Sequence, residues 1–195
     1  MSLTAGVIAV QGDFREHADA IERAACAHGE RAEPVEIHRS GVVPDCDLLL
    51  LPGGESTAIA AHLGREGIAE EIIEHVAAGK PLLATCAGLI VACTNVGDDR
   101  VDTLDLIDAT VARNAFGRQR DSFETELDVT GFHGPFPAVF IRAPQVTDVG
   151  RAEVLAEFDG RPVAVRDGPV VGTAFHPELT DDARLHGLAF FETTD

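Results

Sequence analysis

The sequence predicts a three-layer α/β fold, a mainly parallel sheet with helices on both faces and antiparallel ribbons in its second half. Three observations predict it. Through about residue 100, short apolar runs alternate with segments of helical periodicity, the pattern of a sheet covered on both sides. After about Asp102 the texture changes to short strand-like runs with closely spaced turns. The 195 residues, 45% of them hydrophobic, suffice for one domain with a substantial core.

The elements follow in order. Leu3 to Val10 is an apolar strand. In "QGDFREHADAIERAACAHG", Phe14, His17, Ala18, Ile21, Ala24 and Ala25 keep helical spacing, and Gly29 supplies a C-cap. A strand over Pro34 to His38 and a buried one over Leu48 to Leu51 come next; the two-proline segment Glu30 to Asp47 predicts an enlarged surface loop. "PGGEST" (52 to 57) turns into a helix ending near Leu63, and Ile68 to Ala78 forms another. Pro81 to Ala84 is a short buried strand, and Leu89 to Cys93 continues as helix, with Gly88 permitting a tight turn between them. Then "LIDATVARN", "FETELDV", "PAVFIRA", "AEVLAEFDG", "RPVAVRDG" and "PVVGTAF" read as ribbons, with "FDGRP" a hairpin turn. A helix around Asp182 to Glu192 closes the chain.

Composition excludes several classes. A formal net charge of −18 argues against a nucleic-acid partner, whose phosphates it would repel. Lys80 is the only lysine among 15 basic residues, and so acid-rich, lysine-poor a surface resembles that of proteins from salt-loving archaea. No signal peptide opens the chain and no apolar run approaches a membrane span, so a soluble, cytoplasmic protein is expected. Cys26, Cys46, Cys86 and Cys93 lack zinc-ligand spacing. Cys86 and Cys93, seven apart on one predicted helix, would stand about 10 Å apart, too far for a disulfide. Reduced thiols in a reducing compartment are the economical reading.

The chemistry gathers at "KPLLATCAGLIVAC", Lys80 to Cys93. Cysteine is a small hydrophobe at home in an apolar run, but a strand-to-helix elbow exposes its central side chain at the top of a sheet, as in serine hydrolases. Here the elbow projects Cys86 and aims the Ala87 N–H at its target, while a helix N-terminus beneath the thiol favours the thiolate. A nucleophile needs a base, and the base an orienting group. Of eight histidines, most fall on helices or loops where a solvated side chain explains them; His176, in "VVGTAFHPEL", directly follows an apolar strand. Glu178 stands two residues on, and period-two spacing points both side chains the same way. "HPE" alone also suits a surface turn. The "PGGEST" glycines allow close backbone approach, fitting either an oxyanion hole or an anion at a helix N-terminus, although Glu55 disfavours phosphate.

An elbow cysteine with a downstream H-P-E resembles the class I glutamine amidotransferases. More narrowly, "AVQGDFREH" (9 to 17), "LPGGEST" (51 to 57), "TCAGL" (85 to 89), "RNAFGRQRDSFE" (113 to 124), "FIRAP" (140 to 144) and "FHPELTDD" (175 to 182) together resemble the glutaminase subunits of pyridoxal 5'-phosphate synthase. The resemblance spans nearly the whole chain and implies one glutaminase domain, 1–195, with the class I amidotransferase fold. It implies hydrolysis of L-glutamine, with the ammonia passing to a (β/α)8 synthase subunit that builds pyridoxal phosphate, and no metal or organic cofactor. Carried over, Cys86 is the nucleophile, His176 the base and Glu178 its orienter. Gly54, Glu55, Ser56, Arg113, Ile141 and Arg142 match the glutamine-binding residues, and Gly54 and Ala87 the oxyanion hole. Arginine suits an α-carboxylate through its fixed guanidinium fork; in an acid-rich protein either arginine equally suits an ion pair. Ala84 stands where the family elbow usually has glycine. Other class I glutaminases would share the triad but lack the "FGRQ" and "IRAP" blocks, and a silent regulatory module would lack a complete triad.

Overall fold

A computed structural model describes residues 2–10, 14–113 and 122–191. Strand β1 (Ser2–Ile8) leads through α1 (Phe14–Ala27) to β2 (Arg31–Ile37), and a 3-10 turn over Val43–Asp45 precedes β3 (Leu48–Leu51). Helices α2 (Ser56–Arg65) and α3 (Ile68–Ala77) follow, then β4 (Leu82–Thr85) and α4 (Ala87–Ala92). Short strands continue: β5 (Cys93–Asn95), β6 (Ile107–Ala112), β7 (Ser122–Leu127), β8 (Phe136–Ile141), β9 (Gln145–Asp148), β10 (Glu153–Phe158), β11 (Arg161–Asp167) and β12 (Val170–Thr173), before α5 (Arg184–Phe190).

Seven strands form the main sheet in the order β10-β11-β12-β4-β3-β1-β2. From β2 to β12 all neighbours are parallel, and β11 and β10 add an antiparallel edge. Every residue of β3 and β4 is buried, as four-residue strands without a polar face must be in a sheet covered on both sides. The chain moves outward from β1 to β2 in one direction and from β3 to β4 in the other. Right-handed crossovers therefore place α1 on one face and α2 and α3 on the opposite face. Helix α5 packs against α1, and α4 against α2. The predicted class is thus the observed one.

The ribbons also follow expectation. Asp159 and Gly160 join β10 to β11 with φ of 50° and 70°, the paired positive values of a type I′ hairpin. A second sheet joins β5, β6 and β9, and β7 pairs with β8. Phe123 of β7 stacks on Phe140 of β8, and Phe140 meets Phe175, so the β7–β8 ribbon is packed against the segment that carries His176.

Two expectations are corrected, and one strand went unread. Cys93 does not continue the helix after the elbow; it opens β5 opposite Ile107, because the carbonyls of Val91 and Ala92 are taken by the N–H groups of Leu104 and Leu106. Glu30 to Asp47 is not an enlarged surface loop. Its first part is β2, an edge strand in which Pro34 costs no needed donor, and Val43 and Cys46 are fully buried. Strand β9, within "APQVTDVG", carries too short an apolar pattern to be read from sequence. Of the quoted motifs, residues 11–13 and 114–121 lie outside the described residues, as does Glu192 of the predicted last helix.

Candidate active site

The site forms where β3, β4 and β12 end, at the carboxyl edge of the parallel sheet. Cys86 follows Thr85 directly and has φ 51° and ψ −108°, backbone angles that cost a residue with a side chain on the order of 1–3 kcal/mol. Neighbours hold it there: its N–H donates to the Thr173 carbonyl at 2.8 Å, and its own carbonyl accepts from Ile90 at 3.3 Å. Gly88 has a different role from the predicted one. The strained turn residue is Cys86 itself, and Gly88 is needed because a Cβ there would lie 2.0 Å from the Leu51 carbonyl oxygen. Glycine lets α4 start against the end of β3. Ala84 sits fully buried in β4 opposite Gly172 of β12.

His176 comes from the segment after β12, where its N–H donates to the Val139 carbonyl at 2.8 Å. Its Nδ1 lies 2.6 Å from Glu178 Oε1. The pairing is as expected but its cause is not: Glu178 lies in a 3-10 turn over Pro177–Leu179, and the turn rather than strand alternation folds the carboxylate back onto the ring. Burial works against the imidazolium, yet the neighbouring Cys86 and the hydrogen-bonded Glu178 outweigh it and push His176 up to about 10. Burial likewise raises Glu178, but the charge of His17, and then the hydrogen bond and charge of His176, hold it below the usual carboxylate value.

Gly53 lies against both Cys86 and His176, its Cβ position 2.9 Å from His176 Cε1 and 3.3 Å from Cys86 Cβ. Next to it, Gly54 has φ 138°, an angle that residues with side chains rarely adopt. Glu55 caps α2 by accepting from the Ala58 N–H and the Thr57 hydroxyl, and these bonds, with Arg113 nearby, lower its carboxyl. Ser56 is buried at the start of α2. Arg113 reaches this loop: one guanidinium nitrogen is 2.8 Å from Glu55 Oε1 and the other 2.6 Å from Asp98 Oδ2. The Ile141 carbonyl stands 3.9 Å from Cys86 Sγ, so the Ile141–Arg142 segment meets the site through backbone, while the Arg142 side chain is exposed. Ala87 opens α4, and its N–H is among those a helix leaves without an internal acceptor.

Three residues were missed. Asp98 anchors Arg113, and Arg100 also binds it. His17 and His186, not singled out among the eight histidines, are fully buried, His17 beside Glu178 and His186 with its ring centroid 6.2 Å from that of His17. A signal existed for His17, whose helical spacing places it with Ala18, Ile21, Ala24 and Ala25 on the apolar face of α1. Among the described residues no group of three or more His, Cys, Asp or Glu is placed to hold a metal ion. No helix among them is long and apolar enough to cross a membrane.

Residues 7–194 match the model of the SNO glutamine amidotransferase family. The pyridoxal 5'-phosphate synthase subunit PdxT of Haloarcula marismortui is 69% identical over 196 residues, covering all of both chains. Its counterpart from Halobacterium salinarum is 70% identical over the whole of this chain and 96% of its own, and that of Methanosarcina mazei 52% identical over 93% and 94%. A crystal structure described as a glutamine amidotransferase superposes with a TM-score of 0.85 at 44% identity, over 95% of this chain and 96% of that one. PurLQS from Thermotoga maritima, at 19% identity and a TM-score of 0.69 over 96% and 93%, shares the fold.

Proposed function

The chain belongs to the SNO glutamine amidotransferase family, and we propose that Cys86, His176 and Glu178 perform its reaction, releasing ammonia from the side-chain amide of L-glutamine. The ammonia serves pyridoxal 5'-phosphate, vitamin B6, synthesis, the process named for its relatives. One observation carries the assignment of residues: Cys86 and His176 both lie against Gly53 at the ends of two adjacent parallel strands, and His176 Nδ1 is 2.6 Å from the buried Glu178 Oε1.

The chemistry follows from that arrangement. The Cys86 thiolate attacks the amide carbon, forming a C–S bond, and the carbonyl electrons move onto oxygen. N–H groups of Ala87 and the Gly53–Gly54 loop hold that oxyanion. His176, protonated at neutral pH, gives its proton to the leaving nitrogen as the C–N bond breaks. Neutral His176 then takes a proton from water, whose oxygen attacks the thioester; the C–S bond breaks and glutamate leaves. Glu178 keeps the imidazole in the tautomer both steps require.

Substrate recognition falls to the surrounding loop. A zwitterionic amino acid brings an ammonium suited to Glu55 and a carboxylate suited to Arg113, whose mutual ion pair it would exchange. Gly54, Ser56 and the Ile141–Arg142 backbone complete the cradle. The chain acts as one glutaminase domain, 1–195, in the cytoplasm, where its four free cysteines stay reduced. Its macromolecular partner is a (β/α)8 synthase rather than nucleic acid.

A glutamine-mimicking electrophile tests the nucleophile. It should label Cys86 alone and abolish ammonia release, since burial pushes Cys46 up to about 11 and Cys93 up to about 12, and Cys26 lies outside the site. Mass spectrometry placing the label mainly on another cysteine would overturn the assignment.

A further inference from the structure

Helix α1 brings a second imidazole to the carboxylate of the site. His17 is fully buried, with its Nε2 at ion-pair distance, 3.5 Å, from Glu178 Oε1 and 3.4 Å from Thr85 Oγ1. The same Oε1 lies 2.6 Å from His176 Nδ1. One carboxylate oxygen is thus held between two imidazoles that come from opposite ends of the chain, and the second also touches the residue preceding the nucleophile.

The electrostatics give this contact a task. The Glu178 side chain has no solvent exposure, and a buried carboxylate without a cation beside it takes up a proton. His176 cannot serve as that cation throughout, because the reaction makes it give up its proton and regain it. In the neutral half of the cycle, His17 is the remaining imidazole against Glu178. Glu178, with His176 behind it, faces His17 from the turn after β12, Thr85 from the end of β4 and His186 from α5. His186 is pushed down to about 3, first by burial and then by His17, so it stays neutral and does not compete for the carboxylate. Arg23, farther along α1, is engaged at the Thr180 carbonyl at 3.1 Å.

We infer that His17 is a positioning residue for the glutaminase reaction, holding Glu178 in place against His176 while His176 transfers its proton. The inference rests on the assignment of Cys86, His176 and Glu178 as the reacting set.

The test compares His17→Leu, His17→Gln and Cys86→Ala in the full chain, assayed for ammonia release with the synthase in molar potassium chloride. His17→Leu should lower kcat about 10- to 100-fold, part of the 10²–10⁴-fold that proton transfer supplies, and leave KM for glutamine within about twofold. The acid limb of its kcat/KM profile should move to higher pH, because Glu178 becomes easier to protonate. His17→Gln can place an amide N–H near the Nε2 position and should recover kcat to within about fivefold of the parent, on the same scale. It lacks the charge, so its acid limb should still move. Folded His17→Leu with parental kcat and pH profile overturns the inference, as does a loss confined to melting temperature. If His17→Leu fails to fold, an unmoved acid limb in His17→Gln overturns it alone. Ammonia release by Cys86→Ala would instead overturn the assignment of the reacting set.

Discussion

At the scale of single residues, the site works through burial. His176 and Glu178 are only 6% and 3% exposed, so each depends on the other for its charge. His176→Asn removes the group proposed to move the proton and should cost about 10²–10⁴-fold in turnover. Glu178→Gln keeps the base and loses its orientation and counter-charge, so its loss should be the smaller of the two. Steady-state kinetics on both variants check the order, and small, equal losses would contradict it. Gly53→Ala is a sharper steric probe, because its methyl would lie 2.9 Å from the His176 ring. The ring must shift, so kcat should fall about tenfold, within the range that proton transfer contributes, with little change in melting temperature. Paired activity and melting measurements separate this from simple unfolding.

The elbow between β4 and α4 is the element on which the site depends. Its strain lies at Cys86, and its tolerance for that strain comes from the close seat of α4 on β3 that Gly88 permits. Gly88→Ala would drive a methyl to 2.0 Å from a backbone oxygen, which no rotamer change relieves. Overpacking of this kind costs about 1–3 kcal/mol or more, a drop of roughly 2–12 °C in Tm for a chain of this size, and activity should fall with it as the elbow opens. Gly64→Ala makes the comparison. It lies inside α2 with nothing within 4 Å of its Cβ position, so it should raise Tm slightly through helix propensity. Thermal melts of the two variants moving in the same direction would show that the crowding is not what matters.

Charge acts on the molecule as a whole. With −18 formal charges on 195 residues, self-repulsion opposes the compact state and added salt screens it. The melting temperature should therefore rise steeply between low and molar potassium chloride, and a flat response would refute salt dependence without touching the enzymatic reading. The relatives from Haloarcula and Halobacterium accord with a halophilic protein. A second global effect is set by His186, fully buried and pushed down to about 3. A group whose pKa is lower in the folded state than in the unfolded chain contributes stability that is present above the unfolded value, near 6.5, and lost as pH falls toward the folded one. The loss approaches about 1.4 kcal/mol per pH unit from this residue. His186→Leu removes it, so melts from pH 7 to pH 4 in constant high salt should fall less steeply for the variant than for the parent.

Local pattern determined much of this protein. Four consecutive apolar residues defined β3, helical spacing defined α1, Asp-Gly defined the hairpin at 159–160, and the motifs around Cys86, His176 and Glu55 marked the proposed site. Such patterns are legible because periodicity, turn chemistry and a cysteine at a strand end are properties of neighbours in sequence. What the tertiary structure alone decided depends on partners far along the chain. Cys93 became a strand because Leu104 and Leu106 claim the carbonyls behind it, and Val43 and Cys46 were buried by packing that no local spacing records. Glu178 meets His176 through a 3-10 turn, and Arg113 meets Glu55 across 58 positions. His17 lies 161 residues before Glu178, so its helical spacing revealed that it faces the core, while only the folded chain showed that what it faces there is a carboxylate.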